Sequence, residues 1–503
     1  MNPPMTNKFR LTGLGGLWLL FLAGCAPMGP DFVQPEAPAV QRYTETPMPG
    51  QTAGSTAPKG ETQSFAQDQD IPAEWWALFH SKVLTDLIQT GLKNSPTVAA
   101  AQAALENAGQ YAVAQRDSLM FPAVDATLGE TRQRFSPAAF GFPGNSSTFS
   151  LTNASVGVSY TLDFFGANRR QLEGLDAQVQ MEGFLLKAAR ETLAANIVTT
   201  AIRDATLRAQ IHSLEAVAAS EAQTLEIFRT REKLGALSQT EVQQQQASFA
   251  QAQAAIPELQ KELALTRHQL AVYVGHFPGE GGLPEFSLEE LQLPRQLPVS
   301  LPSQLVRQRP DILVSEARLH QATANLGLTI ASVFPNVTLS ASAGAMAVTP
   351  GNVFDAASSV WSLGTNLTQP LFHAGALEAG QRAAQAALDQ AAAQYRQTVL
   401  NAFQNVADVL RALESDAKTL SAQSDNAEAI RRSLQLAKSQ YDTGSISLLN
   451  LLSAQERDHQ AQIALIQAQS SRLADSAALF LAMGGGWWNA VEPAPSLPAT
   501  GHP

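Results

Sequence analysis

The stretch GALSQTEVQQQQASFAQAQAA at residues 235–255 has a counterpart in GSISLLNLLSAQERDHQAQIA at residues 444–464. The two stretches align without a gap at an offset of 209 residues, and each begins with a glycine. A glycine such as Gly235 suits the left-handed backbone position that commonly ends a helix. Ser238 and Glu241 then form the S-x-x-E pattern of a capping box, which starts a helix. Each stretch therefore predicts a tight turn between two antiparallel helices.

The helices on either side of these turns are predicted to be unusually long. No proline occurs between Asn168 and Leu234, and one helix over this stretch would be about 100 Å long. In the stretch that precedes the second turn, apolar residues recur alternately four and three positions apart, which is typical of a coiled-coil seam. These residues are Leu388, Ala392, Tyr395, Val399, Ala402, Val406, Val409 and Leu413. We therefore predict long helical hairpins at about residues 168–275 and 374–484.

A different pattern precedes each helical hairpin. Polar and apolar residues alternate in VDATLGETRQRF at residues 124–135 and in VTLSASAGAMAV at residues 337–348. Alternation with a period of two indicates a β-strand, and each stretch is followed by a Gly/Pro/Asn/Ser loop and a second alternating stretch. We predict β-hairpins at about residues 121–165 and 334–372. An Ala-rich helix that starts at a Ser-Pro or Arg-Pro pair precedes each of them, because proline suits the first helical turn.

The same order of elements therefore occurs twice. We predict two tandem structural repeats, at residues 73–290 and 300–486. Residues 25–72 are rich in Pro, Gln, Thr, Ser and Gly, which predicts an extended tether. Residues 487–503 are predicted to form a flexible tail. Length alone would suggest about three domains, but the internal repeat argues for a different organisation.

The N-terminus predicts a signal peptide over residues 1–24. Two basic residues precede an apolar run at residues 11–22, which is too short for a bilayer-spanning helix of about 20 residues. Cys25 is the single cysteine of the chain, so an internal disulfide is excluded. Leu22-Ala23-Gly24-Cys25 resembles a bacterial lipobox, which implies lipidation of the Cys25 thiol, and Ala26 favours the outer membrane. The alternative is an ordinary signal peptide with an incidental cysteine.

Charge and strand number restrict the function further. The formal net charge is −11, so the chain lacks the basic face that binding to nucleic acid requires. No other stretch is apolar enough for a transmembrane helix, and a chain of this kind could cross a membrane only as a closed β-barrel. The smallest known transmembrane barrels have eight strands. A chain with the four strands predicted here would therefore have to oligomerise to close a barrel.

Enzymatic chemistry is not predicted. The eight histidines are scattered without an HExxH pattern, so no metal site or cofactor is expected. A lipoprotein enzyme acting on peptidoglycan is one alternative, but it would need convergent catalytic groups in a pocket. A periplasmic coiled-coil adaptor without a pore is another alternative. Paired alternating strands at equal positions in both repeats argue against the adaptor.

The combined pattern resembles the outer-membrane factors of the TolC and OprM type, and within them lipoproteins of the NodT subfamily type. The resemblance covers about residues 20–486 and is carried by the lipobox, by Trp75-Trp76-x-x-Phe79, by the duplicated hairpins and by YDTGSISLLNLLSAQE at residues 441–456. It implies a mainly α fold with a β-barrel. Three chains, with four strands each, would form a twelve-stranded transmembrane barrel continuous with a long α-helical barrel in the periplasm.

The resemblance also implies a function and partners. The protein is expected to be a lipid-anchored homotrimer in the outer membrane and the exit duct of a tripartite efflux pump. It would conduct small molecules passively when a periplasmic adaptor and an inner-membrane RND transporter open it. An exit duct for type I secretion or for ABC-driven efflux is the alternative. The tryptophan pairs Trp75-Trp76 and Trp487-Trp488 are expected to pack beside the helical barrel.

Two groups of site residues follow from the resemblance. The expected adaptor-docking tips are Gly235, Ala236, Leu237, Ser238, Gly444, Ser445, Ile446 and Ser447. The alternative is that these glycines and serines only terminate helices. The candidates for the periplasmic gate are Glu232, Tyr441, Asp442 and Ile446. OprM-like members often carry an Asp two residues after the second tip glycine, where this chain has Ile446, so a hydrophobic constriction is an alternative to an acidic gate.

Overall fold

The computed structural model describes residues 27–67 and 69–490 of the chain. Cys25 and the predicted signal peptide lie outside the described residues. In chain order the helices and strands are β1 (Ser64–Gln67), α1 (Lys82–Asn94), α2 (Pro96–Met120), β2 (Ala123–Phe135), β3 (Ser147–Leu162), α3 (Ala167–Lys233), α4 (Gln239–Tyr273), β4 (Gln296–Val299), α5 (Pro302–Gln308), α6 (Pro310–Ala331), β5 (Asn336–Ala347), β6 (Ser359–Thr368), α7 (Ala376–Asp442) and α8 (Leu448–Ala482).

The two helical hairpins have equal dimensions. Helices α3 and α7 contain 67 residues each, and α4 and α8 contain 35 residues each. The helices of the two hairpins run from Ala167 to Tyr273 and from Ala376 to Ala482, and the 67-residue helices are about 100 Å long at 1.5 Å per residue. Among the described helices, none is long and apolar enough to cross a membrane.

The buried seam of α7 differs in register from the predicted heptad. Its buried residues are Val399, Ala402, Val406, Leu410, Leu413, Ala417, Leu420 and Ala427. Leu410 therefore takes the buried position predicted for Val409. Two consecutive spacings of four residues occur, from Ala402 to Val406 and from Val406 to Leu410. They arise because an α-helix has 3.6 residues per turn and drifts relative to a strict 3.5-residue repeat. The predicted seam residue Ala392 is exposed in the single chain.

Both predicted β-hairpins belong to one antiparallel sheet with the strand order β2-β3-β5-β6. The central pair, β3 and β5, joins the two repeats, with Val158 opposite Ala341. The outer strands, β2 and β6, contain 13 and 10 residues, and among the described residues each has a neighbouring strand on one side only. The sheet therefore ends in two long edges whose backbone groups are available for pairing.

The register separates the sheet into an apolar face and a polar face. One row of neighbours across the four strands is Val124, Val158, Ala341 and Leu363. The next row, on the opposite face, is Asp125, Gly157, Ser342 and Ser362. Because side chains alternate along a strand, rows like the first make up the apolar face and rows like the second the polar face.

The compact units of the structure do not coincide with the repeats. One unit comprises the described residues up to Pro35 with Leu105–Glu182 and Ser315–Tyr395. The other comprises Glu36–Ala104, Gly183–Val314 and the described residues from Arg396 onward. Each unit thus takes segments from both repeats. The physical reason is that an isolated two-stranded hairpin is only marginally stable, so the hairpins of the two repeats share a sheet.

The predicted tether is bound to the protein at both ends. In the first unit, the side chain of Arg170 is 3% exposed and donates to the carbonyls of Met28 and Gly29 at 3.1 and 3.2 Å. Arg170 also forms an ion pair with Asp31 at 2.7 Å. These bonds satisfy the donors of a buried guanidinium, so residues 28–31 are fixed rather than freely extended.

The second unit binds the tether through another buried arginine. Arg472, which is 1% exposed, donates to the carbonyls of Lys59 and Glu61 at 2.6 and 3.0 Å. It also donates to the Gln63 side chain at 3.0 Å. Strand β1 then pairs in parallel with β4. The composition of residues 25–72 indicated a tether, but it carries no signal for partners so distant in the sequence.

The tryptophan pairs lie at the C-terminal end of α8. Trp75 is fully buried, stacks on Phe480 at 5.4 Å and donates from Nε1 to Glu191 at 3.1 Å. Trp487 donates to the Gln308 carbonyl at 2.8 Å. Trp488 donates to the Asp70 carboxylate and Asn489 to the Ile71 carbonyl, each at 2.7 Å. Residues 487–489 are therefore held by bonds to distant residues, and the predicted flexible tail does not begin at residue 487. Residues 491–503 lie outside the described residues.

Candidate functional site: the helical hairpin tips

The first tip is a turn between Lys233 and Gln239. Gly235 has a φ of +77°, and a Cβ added there would meet no atom within 4 Å. Backbone conformation, and not crowding, therefore favours glycine at this position. Ser238 Oγ accepts from the Glu241 backbone N–H at 3.3 Å, and the Glu241 carboxylate accepts from the Ser238 backbone N–H at 3.0 Å. These two bonds confirm the predicted capping box.

The second tip repeats the geometry with one difference. Gly444 has a φ of +72°, and the Ser445 N–H donates to the Gln440 carbonyl at 2.8 Å. Ser447 Oγ accepts from the Asn450 backbone N–H at 3.4 Å. Asn450 stands where the first tip has a glutamate, so the reciprocal bond of the capping box is replaced by a single cap. Both tips are therefore closed turns that present a few exposed residues.

One apolar cluster holds the two tips together. We call it the tip core; its buried residues are Leu225, Phe228, Val242, Leu448 and Leu451, and its half-buried residues include Leu237, Leu434 and Tyr441. These residues come from α3, α4, α7 and α8 and from the first turn. Removal of this apolar surface from water is the main force that stabilises such a cluster. The two hairpins therefore form one packed structure at their ends.

The predicted gate residues differ in environment. Tyr441 stacks on Phe228 at a centroid distance of 5.8 Å and belongs to the tip core. Burial, together with the charge on Glu241, raises the pKa of Tyr441. Asp442 is exposed, whereas Glu232 and Ile446 are half-buried. The structure thus packs Tyr441 into the tip core, and the gate role of all four residues stays a prediction.

The sequence reasoning did not single out Leu234. Its side chain is 78% exposed and directly precedes Gly235. Leu449, close to the second turn, is 64% exposed. The sequence could have indicated Leu234, because it is an apolar residue at the C-terminal end of an otherwise polar helix segment. Large apolar side chains exposed at a turn are candidates for contact with another protein.

A buried polar pair lies further along the hairpins. Gln245 is fully buried and donates from Nε2 to the Glu221 carbonyl at 3.2 Å and to the Glu221 carboxylate. Burial raises the pKa of Glu221, while Gln245 and the charge of Lys438 lower it. A groove of about 720 Å³ between α3, α4 and α8 is lined in part by Glu221, Leu452 and His459. The groove offers both polar and apolar contacts.

Comparisons with known proteins agree with this architecture. A family model described as outer membrane efflux protein matches residues 87–276 and 301–485. The probable efflux pump outer membrane protein TtgC of Pseudomonas putida is 31% identical over 481 residues, which cover 93% of this chain and 94% of the relative. The pyoverdine export outer membrane protein OpmQ of Pseudomonas putida is 30% identical over 448 residues, 88% of this chain and 94% of the relative.

Solved structures give the same result. The outer-membrane channel OprN aligns with a TM-score of 0.82 and 25% identity, over 92% of this chain and 100% of that chain. The outer membrane protein VceC from Vibrio cholerae aligns with a TM-score of 0.76 and 25% identity, over 82% of this chain and 99% of that chain. The family model, the relatives and these structures all include both repeats. This chain therefore belongs to the outer membrane efflux protein family.

Proposed function

We propose that this protein is the outer-membrane exit duct of a tripartite efflux pump, passive in itself and opened by a periplasmic adaptor and an inner-membrane RND transporter. One observation carries the proposal: each pair of strands of a sheet with one apolar and one polar face is followed in the chain by a helical hairpin whose first helix is about 100 Å long. A sheet of this kind can contact lipid with its apolar face and water with its polar face. Helical hairpins of this length could extend across the periplasm.

The open edges of the sheet support a trimer. Unpaired backbone groups of β2 and β6 cannot remain exposed to lipid, and four strands are too few to close a barrel. We infer that β6 of one copy pairs with β2 of the next. The number three comes from the resemblance to the outer-membrane factors and would give twelve strands.

The apolar face supports contact with lipid. On β5 this face runs from Val337 to Ala345, which spans about 26 Å along the strand and about 20 Å along the membrane normal at a tilt near 40°. The apolar band of known barrels is about 25 Å tall. The polar face would then line the lumen.

Lipidation of Cys25 is part of the proposal. The Met28 N–H donates to the Phe165 carbonyl at 3.1 Å, just after the end of β3. The three residues from Cys25 to Met28 reach at most about 11 Å. A lipidated Cys25 would therefore remain close to the end of the sheet, where acyl chains could enter the same membrane.

The hairpin tips are the proposed adaptor contacts. Gly235, Ala236, Gly444 and Ser445 are exposed, and Leu234 adds an apolar side chain beside them. Leu237 packs on the tip core, so we propose that it stabilises the turn and does not contact the adaptor directly. The proposed gate is the constriction formed by Ile446 with Asp442 and Glu232 when three copies meet.

Single-channel conductance in a planar bilayer, with the native mass of the same detergent-solubilised sample, tests the proposal. We expect a trimer with small, flickering conductance that increases when the tip residues are altered. A monomer without conductance would contradict the duct and would favour an adaptor without a pore.

A further inference from the structure

The polar face of the sheet carries one ionisable residue among its four described strands. That residue is Asp125, the third residue of β2. The other side chains of this face near Asp125 are small or hydroxylated, as in Ser155, Ser340 and Ser342. In β2 the odd-numbered residues share the face of Asp125, and the even-numbered residues project from the other face. The charged residues on that other face are Glu130, Arg132 and Arg134.

No described residue forms an ion pair with the Asp125 carboxylate. Asp125 is exposed and takes part in none of the ion pairs of the described residues. Its neighbours in the row across the sheet are Gly157, Ser342 and Ser362, and the two serine hydroxyls bond to each other at 2.8 Å. By contrast, Asp163 at the end of β3 is paired with Arg169 at 3.2 Å.

We propose that Asp125 makes the strand-lined part of the duct prefer cationic and neutral solutes over anionic ones. This inference rests on the proposed function, in which the polar face lines the lumen. Three copies would then place three carboxylates at one level of the pore. Because Asp125 lies near the start of β2, this level is at the end of the sheet next to the helices.

The expected effect follows from the size of the pore. Twelve strands about 4.8 Å apart with a tilt near 40° enclose a cylinder of about 12 Å radius. A carboxylate on its inner wall lies about one Debye length from the axis at 0.1 M salt, where screening is incomplete. Three such charges change the ratio of cation to anion permeability by roughly two- to fourfold.

The reversal potential of single channels under a salt gradient tests this inference. The Asp125→Asn channel is expected to lose cation preference by roughly two- to fourfold, and Asp125→Arg to favour anions. The matched control is Glu130→Gln, which removes the same charge from the opposite face of the same strand and is expected to keep the wild-type value. Each variant is compared with the wild type at the same conductance level of the open channel. The hairpin tips have the same sequence in both proteins, so their effect on selectivity cancels.

The outcomes separate this inference from the proposed function. Conducting channels with the same selectivity in Asp125→Asn and wild type would overturn the role of Asp125 and leave the duct intact. A complete lack of conductance in the wild type would overturn the duct and this inference with it. A membrane-impermeant maleimide gives an independent test of orientation: Asp125→Cys should react above the wild-type background and Val124→Cys should not, and the reverse pattern would refute the inference.

Discussion

Substitution of Phe228 by alanine tests whether the tip core holds the two hairpins together. Phe228 is 2% exposed and stacks on Tyr441, which belongs to the other hairpin. Truncation of a buried phenylalanine to alanine costs about 3–5 kcal/mol, from lost burial and from the cavity left behind. Taking the lower end, about 3 kcal/mol, because the cluster is small and near solvent, local opening should become about 150-fold more frequent.

Hydrogen–deuterium exchange of the purified protein measures this opening. Peptides from both turns should exchange faster in Phe228→Ala, while peptides from the sheet should remain unchanged. The matched control is Phe277→Ala, because Phe277 is 77% exposed and its removal leaves no buried cavity. Faster exchange at the first turn alone would refute the idea of a shared tip core, and so would unchanged exchange at both turns.

Three further predictions concern the gate, a buried acid and the bound tether. Ile446→Asp should increase the leak of the closed channel, because three carboxylates would repel one another at the tip; equal conductance in both proteins would count against a gate there. Burial raises the pKa of Glu191 to about 8, so the folded state holds a proton that the unfolded state releases above its ordinary pKa. The contribution of Glu191 to stability is then greatest below about pH 4.5 and falls by up to about 1.4 kcal/mol per pH unit until about pH 8; thermal melts of Glu191→Gln should lack this fall, and an identical pH profile would disprove it. Arg472→Met should cost about 1–3 kcal/mol for each buried acceptor left unpaired and expose residues 52–63 to limited proteolysis, whereas Arg457→Met on the exposed surface of α8 should not; equal cleavage of both variants would argue against Arg472 as the residue that holds this segment.

Local periodicity explains why the long elements could be predicted from the sequence. The helical hairpins and strands follow from spacings of three to four residues and of two residues, which depend only on neighbouring positions. The capping box at Ser238 and Glu241 is likewise a four-residue signal. These features required no knowledge of distant contacts.

The features that were missed depend on partners far apart in the chain. Arg170 and Arg472 lie in helices whose sequence gives no indication that a guanidinium is buried, and their partners are more than 100 residues away. The stacking of Tyr441 on Phe228 joins two repeats in the same way. Even the seam of α7 was displaced by one position at Leu410, because helical drift depends on the packing partner as well as on the repeat.

The equal lengths of the paired helices restrict how this chain can vary. The turns of both hairpins meet in one tip core, so a deletion of seven residues from α3 alone would raise one turn by about 10 Å relative to the other. Such a deletion would preserve the coiled-coil phase yet separate Phe228 from Tyr441. Matching deletions would be needed in α4, α7 and α8 as well. Changes in hairpin length in descendants of this gene should therefore occur in both halves together, while the loops between strands remain free to vary one at a time.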